Sequence, residues 1–221
     1  MCKIPPSLFA RNVSKSFGNK DILKGIDLEI FPGELTYIVG TSGAGKTTLL
    51  NILGGLDTPS KGEIVFEGED ISHDLSEFRR EKVGFIFQDY NLIPGLSVRE
   101  NIELAHLYAG RRDAAAKPDI EQLISRLGIK DANQKAETLS GGEKQRTAIV
   151  RSICKRSDLI LADEPTGNLD SVNSEIVIRE LVALKPGRYV VVVSHDIDMA
   201  KKFADRIITI SDGRITGDER L

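Results

Sequence analysis

A glycine-rich segment followed by a lysine and two threonines has the composition of a phosphate-binding loop. Its residues are Gly40, Thr41, Ser42, Gly43, Ala44, Gly45, Lys46, Thr47 and Thr48. The three glycines let the backbone turn tightly and present N–H groups that bind β- and γ-phosphate oxygens at a helix N-terminus. Lys46 adds a cation, and the hydroxyl of Thr47 is placed to ligate Mg²⁺. We therefore predict that this segment, the phosphate loop, binds a nucleotide, and that Thr47 is a metal ligand.

Two carboxylates follow the short apolar run Leu159–Ala162. If that run is a strand of a parallel sheet, Asp163 and Glu164 lie at its carboxyl end, where such sheets bind their ligands. Asp163 is then predicted to hold the magnesium through water, and Glu164 to act as general base for an attacking water. Two acids often end a strand without any such role, so this prediction depends on the neighbouring phosphate loop.

The segment Leu139, Ser140, Gly141, Gly142 and Glu143 is a second candidate phosphate-binding element. Ser140 is predicted to cap a helix whose first turn contains two glycines, which leaves N–H groups at the positive end of the helix dipole. Glycine lowers helix propensity, a cost that close approach to another group explains. An ordinary serine cap on a flexible turn is the alternative. No phosphate of its own is evident for this segment, which we call the signature.

Two polar side chains follow other apolar runs. Gln88 comes after Val83–Phe87, and His195 comes after Val190–Ser194. Both are predicted to lie at strand ends that face the phosphates, and His195 can bind the γ-phosphate or position the water. A lone glutamine or histidine at a strand end is more often structural, so each counts only together with the other motifs.

The positions of these motifs require an α/β fold. Strand Leu35–Val39 leads into the phosphate loop, and a helix from Thr47 to Leu53 follows it. Short, continuously apolar strands that alternate with helices indicate a mostly parallel sheet covered on both faces. Before this core, the segments Phe9–Val13 and Ile26–Ile30 are predicted strands. Within it, residues 89–155 are predicted to form a helical insertion that contains three helices, at Ser97–Tyr108, Asp119–Leu127 and Ser140–Lys155.

Composition limits the class of protein. The chain has 221 residues, enough for one sizeable α/β domain, and a formal net charge of −3, so nucleic acid is not an expected partner. Cys2 and Cys154 form no metal-ligand or disulfide pattern, and a reduced cytosolic setting is expected. The N-terminus has no apolar stretch of a signal peptide, so Cys2 is expected to be a surface thiol rather than a lipid anchor. Apolar runs such as Tyr189–Val193 are too short to span a bilayer.

Taken together, the motifs resemble the ATP-binding cassette subunits of ABC transporters, from about Phe9 to Leu221. The matching segments are, in order, Phe17, Gly40–Thr47, Gln88, Leu139–Glu143, Asp163–Glu164, Gly167–Asp170 and His195. The resemblance implies a P-loop NTPase core with an N-terminal antiparallel β subdomain and an inserted helical subdomain, all within one domain of residues 1–221. It implies ATP and Mg²⁺ as cofactors.

The same resemblance assigns roles to single residues. Phe17 corresponds to the aromatic residue that stacks on adenine, although a buried core phenylalanine is the alternative. Gln88 resembles the glutamine that contacts Mg²⁺ and senses the membrane partner. Glu164 and His195 match the catalytic glutamate and the switch histidine, and Asp170 lies in the loop that crosses the dimer interface.

The signature then resembles the element that reaches the γ-phosphate bound by the other subunit of a head-to-tail dimer. The implied partners are a second ATP-binding subunit, either another copy of this chain or a paralogue, and a separate membrane permease that contacts the segment after Gln88. The implied location is cytoplasmic, on the inner face of the cell membrane. The segments Gln88–Pro94 and Asp163–Asp170 most resemble the branch of macrolide exporters, lipoprotein-release systems, antimicrobial-peptide resistance transporters and the cell-division cassette.

Three other functions are alternatives to that of a transporter subunit. A cassette of the cell-division type transmits motion without moving cargo, and the sequence does not exclude it. ABC-type ATPases that act on DNA or ribosomes carry coiled-coil arms, zinc modules or a second cassette, and this chain has no heptad run or cysteine cluster. A GTPase is disfavoured because Asn19–Ile22 has isoleucine instead of aspartate at the fourth position of the guanine-reading motif and precedes the phosphate loop.

Overall fold

The computed structural model describes residues 8–108 and 119–221. The prediction for Cys2 lies outside the described residues. The strands are β1 (Leu8–Phe17), β2 (Lys20–Ile30), β3 (Leu35–Val39), β4 (Lys61–Phe66), β5 (Glu69–Asp70), β6 (Val83–Ile86), β7 (Leu159–Asp163), β8 (Tyr189–Ser194), β9 (Arg206–Ser211) and β10 (Arg214–Arg220). The helices are α1 (Lys46–Leu53), α2 (Leu75–Glu81), α3 (Val98–Leu107), α4 (Ile120–Arg126), α5 (Gly141–Lys155), α6 (Ser171–Ala183) and α7 (Ile197–Phe203).

The larger sheet has six strands in the order β10-β9-β3-β8-β7-β6. Every neighbouring pair from β9 to β6 is parallel, and β10 pairs antiparallel with β9. Strands β3 and β8 are buried along their whole length, as continuously apolar strands of a covered parallel sheet should be. The predicted mostly parallel sheet is confirmed.

The smaller sheet is antiparallel, with the order β2-β1-β4-β5. Strands β1 and β2 contain both of the predicted N-terminal strands and are joined by a turn at Gly18, whose φ is +57°. Strands β4 and β10 and helix α2 were not predicted from the sequence. Much of each is charged and exposed, so the hydrophobic pattern that marks a half-buried element is weak in them.

Two hydrophobic clusters lie on opposite faces of the parallel sheet. Along β8, Val191 and Val193 pack into the cluster that contains the apolar residues of α1 and of the antiparallel sheet. Val190 and Val192 pack into the other cluster, together with the apolar residues of α3, α5 and α6. This alternation along one strand divides the core into two layers. The carboxyl ends of β3, β8 and β7 are therefore held between α1 on one face and α5 and α6 on the other.

The predicted helical insertion corresponds to α3, α4 and α5, which all lie between β6 and β7 in the chain. Ser97 and Glu100 form the predicted capping box at the start of α3, with the Glu100 amide donating to Ser97 Oγ and the Ser97 amide donating to Glu100 Oε2. Helix α4 begins after its cap Asp119 and is followed by Gly128 at φ +65°. In residues 8–108 and 119–221, no helix is long and apolar enough to cross a membrane.

Gly213, in the turn between β9 and β10, joins three parts of the structure. Its carbonyl oxygen accepts a hydrogen bond from the Lys24 amide in β2 at 2.9 Å, and its amide donates to the carbonyl oxygen of Ala44 in the phosphate loop at 3.2 Å. Its φ is +73°, and an added Cβ would lie 2.3 Å from the carbonyl oxygen of Ile22. Neither the backbone conformation nor the available space accommodates a side chain.

We predict that Gly213→Ala lowers the free energy of unfolding by about 3 kcal/mol, because it adds overpacking to the cost of a left-handed alanine. The matched control is Gly18→Ala, where φ is +57° but nothing lies within 4 Å of the added Cβ. That variant is expected to lose only about 1 kcal/mol. Urea unfolding measures both values, and equal losses would contradict the steric argument.

Candidate nucleotide-binding and catalytic site

The phosphate loop connects β3 to α1, as predicted. Gly43 and Gly45 have φ values of +77° and +102°, so the backbone itself requires glycine at both positions. Gly40 lies outside the left-handed region, and its constraint is space. An added Cβ there would lie 2.2 Å from the carbonyl oxygen of Ile210 in β9. Gly40 therefore permits close approach to β9, a reason that differs from the tight turn inferred from the sequence.

Lys46 is buried at the start of α1. Its Nζ donates to the carbonyl oxygens of Gly40 and Thr41 at 2.9 and 3.1 Å, so the cation is held over the loop. Gly45 is the N-cap of α1 and has no side chain to occupy the first helical N–H groups. A helix start of this kind, with a buried ammonium beside it, favours an anion such as a phosphate.

Thr47 and Asp163 meet across the end of the parallel sheet. Thr47 Oγ1 donates to Asp163 Oδ1 at 3.1 Å, which joins the start of α1 to the end of β7. Burial is the largest influence on Asp163 and raises the pKa of its carboxyl, while the hydrogen bond from Thr47 opposes that shift. A hydroxyl and one partly desolvated carboxylate fit Mg²⁺, which takes few protein oxygens and keeps waters and phosphates as its other ligands.

Glu164 is held in an unusual conformation directly after β7. Its φ is +44°, and its amide donates to the carbonyl oxygen of Val193 at 2.9 Å. Its Oε2 accepts a hydrogen bond from Ser194 Oγ at 3.2 Å and lies 3.0 Å from His195 Nδ1. The Glu164 side chain is 15% exposed, whereas that of His195 is 71% exposed. The structure thus places the predicted base and the predicted switch histidine in direct contact.

Ser194 is a site residue that sequence reasoning missed. Its hydroxyl donates to Glu164 and accepts a hydrogen bond from the Asp196 amide at 3.1 Å, so it orients the carboxylate from the end of β8. Its place immediately before His195 at a strand end was the available signal. From the sequence alone, Ser194 is predicted only to be the last residue of the strand.

Gln88 follows β6 by two residues and is exposed. Its backbone oxygen lies 3.4 Å from Asn168 Nδ2, which donates to it, and its side-chain Nε2 lies 3.5 Å from the position of a Cβ added at Gly167. Gln88 therefore lies beside the segment that follows Glu164. Its predicted contact with the metal stays a prediction.

Phe17 ends β1 and is 54% exposed, with the Lys15 ammonium 5.0 Å from the centre of its ring. Such exposure excludes the alternative that Phe17 is a buried core residue. An exposed ring can stack on a planar base, and the adenine assignment stays a prediction.

The signature begins α5, with Ser140 as its N-cap and Leu139 buried beneath it. The Glu143 amide donates to Ser140 Oγ at 3.4 Å, while the amide and hydroxyl of Ser140 donate to Glu143 Oε2 at 3.0 and 2.7 Å. These hydrogen bonds from Ser140 lower the pKa of the Glu143 carboxyl. Ser140 is exposed, so the start of α5 is open to a ligand or partner.

Both signature glycines are packed closely against other parts of the same chain. A Cβ added at Gly141 would lie 3.1 Å from Tyr90 Oη, and one added at Gly142 would lie 3.2 Å from Arg146 Nη1. Arg146 belongs to the same helix, while the other neighbours of these two positions, Asn168, Leu169 and Asn173, lie 3.8–3.9 Å away in the segment after Glu164 and at the start of α6. Close approach, the reason inferred from the sequence, is present within the chain itself.

Asp170 is the N-cap of α6. Its Oδ1 accepts from the Asn173 amide at 2.8 Å and its Oδ2 accepts from Asn173 Nδ2 at 2.7 Å. These two hydrogen bonds lower the pKa of the Asp170 carboxyl. The position at an interface with another subunit, which the resemblance implied, stays a prediction.

Arg151 is a second residue that sequence reasoning missed. Its Nη1 and Nη2 donate to the carbonyl oxygens of Asn91 and Tyr90, at 2.5 and 2.9 Å. Those two residues are left-handed, with φ values of +47° and +63°. Arg151 therefore fixes the segment after Gln88 to α5. No local motif signals these contacts because Arg151 lies 60 and 61 positions after Asn91 and Tyr90 in the chain.

The chain has clear relatives among known proteins. The sequence profile of the ABC transporter family matches residues 23–167. The macrolide export ATP-binding/permease protein MacB of Marinobacter nauticus is 44% identical over 223 residues, covering 96% of this chain and 34% of that protein. The pyoverdine export ATP-binding/permease protein PvdT of Pseudomonas fluorescens is 43% identical, with 96% and 34% coverage. The chain spans about a third of the length of these relatives.

Solved structures give the same result. The ATP-binding cassette MJ0796, solved as a dimer in a post-hydrolysis state bound to ADP and Pi, matches with a TM-score of 0.86 and 38% identity. The alignment covers 97% of this chain and 98% of that one. This likeness agrees with the family match and with the arrangement of the phosphate loop, Asp163 and Glu164. The chain belongs to the ABC transporter family and is one of its ATPase cassettes.

Proposed function

We propose that the chain is the ATP-hydrolysing unit of an exporter-type ABC transporter, in which two cassettes close head to tail around ATP and drive a membrane permease. The observation that carries this proposal is the Glu164 carboxylate, anchored by Ser194 and His195 beside the Thr47–Asp163 pair. The names of the related proteins MacB and PvdT support export as the process.

In the proposed reaction the phosphate loop binds the β- and γ-phosphates through backbone N–H groups and Lys46. Glu164 accepts a proton from the attacking water, and Ser194 and His195 keep its carboxylate in one orientation. Thr47 and Asp163 would hold Mg²⁺, with Gln88 as a further ligand, and the bound metal would supply positive charge that neutralises the phosphate oxygens.

The proposed assembly explains the signature. A single chain carries an open helix start at Ser140 in addition to the phosphate loop. In a head-to-tail dimer the signature of one subunit contacts the γ-phosphate bound by the other, and Asp170 lies at the interface between them. The dimeric form in which MJ0796 was solved supports this arrangement. Each site is then complete only when both subunits are present.

The permease is proposed to contact the segment after Gln88. Beside this segment is a cavity of about 450 Å³ with a mostly apolar lining that includes Phe87, Ile93, Leu104 and Tyr108. The hydrogen bonds from Arg151 to Tyr90 and Asn91 attach the same segment to α5. We place the chain on the inner face of the cell membrane. The related exporters are named as ATP-binding/permease proteins, which supports a permease as partner.

We predict that Glu164→Gln lowers ATP turnover by about 10³-fold or more, because the amide cannot accept the proton from water. ATP binding is retained, and the ATP-bound dimer becomes more stable. Steady-state phosphate release and size-exclusion chromatography with ATP measure these effects. Glu219→Gln, an exposed acid on β10, is the matched control and should leave both unchanged. Near-normal turnover of Glu164→Gln would exclude Glu164 as the base.

We predict that Ser140→Arg abolishes hydrolysis, because the larger, charged side chain blocks contact of the signature with the nucleotide of the other subunit. ATP affinity of the isolated chain, measured by equilibrium titration at concentrations where it stays monomeric, should not change. A decrease in that affinity of about tenfold, or 1.4 kcal/mol, would contradict the role across the dimer.

Transport and mechanotransmission are separated by reconstitution with the membrane protein that co-purifies with the chain. We predict ATP-dependent movement of cargo across the vesicle membrane, which Glu164→Gln abolishes. Stimulated ATP hydrolysis without movement of any offered cargo would favour the mechanotransmitting alternative.

A further inference from the structure

A chain of hydrogen bonds connects the signature helix to the segment that follows the catalytic glutamate. Arg146 Nη1, one turn into α5, donates to Asn173 Oδ1 at 2.8 Å. The other side-chain atom of Asn173, Nδ2, donates to Asp170 Oδ2 at 2.7 Å, and the Asn173 amide donates to Asp170 Oδ1. We call this the Arg146–Asn173–Asp170 link. It uses both ends of one amide, so Asn173 fixes α5 and Asp170 relative to each other.

The absence of a side chain at Gly142, in the first turn of α5, leaves room for the contact between Arg146 and Asn173. A Cβ added at Gly142 would lie 3.2 Å from Arg146 Nη1, 3.8 Å from Leu169 Cδ2 and 3.9 Å from Asn173 Cγ. A side chain at position 142 would therefore compete with the guanidinium for its place. Gly142 belongs to the signature, so the same residue that opens the helix start also makes room for the link.

The guanidinium is positioned at a cost. Within the part of the chain that the structure describes, Arg146 Nε is buried and has no hydrogen-bond partner. A buried donor without a partner destabilises the folded chain. The hydrogen bond that the guanidinium makes to Asn173 is therefore formed although Nε of the same group stays unpaired.

The segment from Glu164 to Asp170 is short and internally bonded. The Gly167 amide donates to the carbonyl oxygen of Glu164 at 3.1 Å, and the Leu169 amide donates to that of Thr166 at 3.0 Å. These consecutive turns connect Asp170 to Glu164 through a short stretch of hydrogen-bonded backbone, so we infer that a displacement of Asp170 is passed towards Glu164. The link therefore joins the signature and the base of one chain.

We propose that Arg146 and Asn173 are positioning residues through which the signature's contact with one nucleotide sets the orientation of Glu164 at the other. This inference rests on the proposed dimer, where the signature and Glu164 of one subunit serve different ATP molecules. The link makes the two sites depend on each other, because a displacement of the signature of one chain would pass through Arg146, Asn173 and Asp170 to the segment that carries Glu164 of the same chain.

The experiment compares Arg146→Ala, Asn173→Leu and the double variant with the wild-type chain. We expect each single change to lower kcat at saturating ATP by about 10- to 100-fold, because misplacing a catalytic group by a fraction of an ångström to 1 Å has effects of this size. The double variant should lose no more than the worse single variant, because all three cut the same link. ATP binding to the isolated chain and ATP-driven dimerisation in the Glu164→Gln background should be unchanged.

Two further variants keep the test independent of folding defects. Asn173→Asp retains the acceptor for Arg146 but replaces the amide that donates to Asp170 with a carboxylate, so it should lower kcat as Asn173→Leu does. Arg179→Ala removes an exposed arginine of α6 that pairs with Glu175 and is not in the link. Its kcat should stay within about twofold of the wild type, as expected for loss of a surface ion pair.

If the fold-decrease in kcat of the double variant equalled the product of the two single fold-decreases, Arg146 and Asn173 would act independently, and the proposal would be overturned. So would a decrease in ATP affinity or dimerisation that parallels the loss of kcat, since that is the behaviour of a structural contact. Normal kcat in Asn173→Asp would also overturn it. Normal turnover of Glu164→Gln in the same assays would instead remove the proposed function.

Discussion

The site depends on the register of three parallel strands. Strand β8 lies between β3 and β7, with Val39 opposite Ser194 and Asp163 opposite Val193, so the three strands end at one level. This common level lets the Thr47 hydroxyl reach Asp163 across the end of β8. A shift of one residue in any of the three strands would also turn its buried valines and leucines to the wrong hydrophobic cluster. Core packing and site geometry are therefore set by the same register.

Glu164 directly follows the last residue of β7 and has a strained, left-handed backbone conformation. A left-handed conformation costs a non-glycine residue about 1–2 kcal/mol. The amide of Glu164 still donates to the backbone of β8, and its carboxylate is bonded by Ser194 and approached by His195. These contacts offset the strain and leave one orientation for the carboxylate. Strand β7 ends at Asp163. If Glu164 had an extended backbone instead, the chain would continue in the direction of β7 and would not turn back towards β8.

Most of the site and much of the fold could be predicted because they depend on local pattern. The phosphate loop, the two carboxylates, the capping box of α3 and the buried parallel strands have signals within a few residues. Strand β4 and helix α2 were missed because their exposed, charged residues give no clear period. The contacts of Ser194 and Arg151 could not be read from the sequence, since each depends on how distant segments pack. Gly40 was recognised for the wrong reason, as its neighbour Ile210 is 170 positions away.

In the signature, the donors that a phosphate could use differ in whether they are already engaged. The hydroxyl of Ser140 donates to Glu143, and a phosphate oxygen also requires a donor, so the two compete for one hydrogen. The amides of Gly141 and Gly142 lie in the first helical turn, where N–H groups have no partner within the helix. In the proposed dimer these amides bind phosphate without rearrangement, whereas Ser140 must first release Glu143. The two glycine amides are thus the part of the element that is ready for a phosphate, and the Ser140 hydroxyl is the part that has to change its partner.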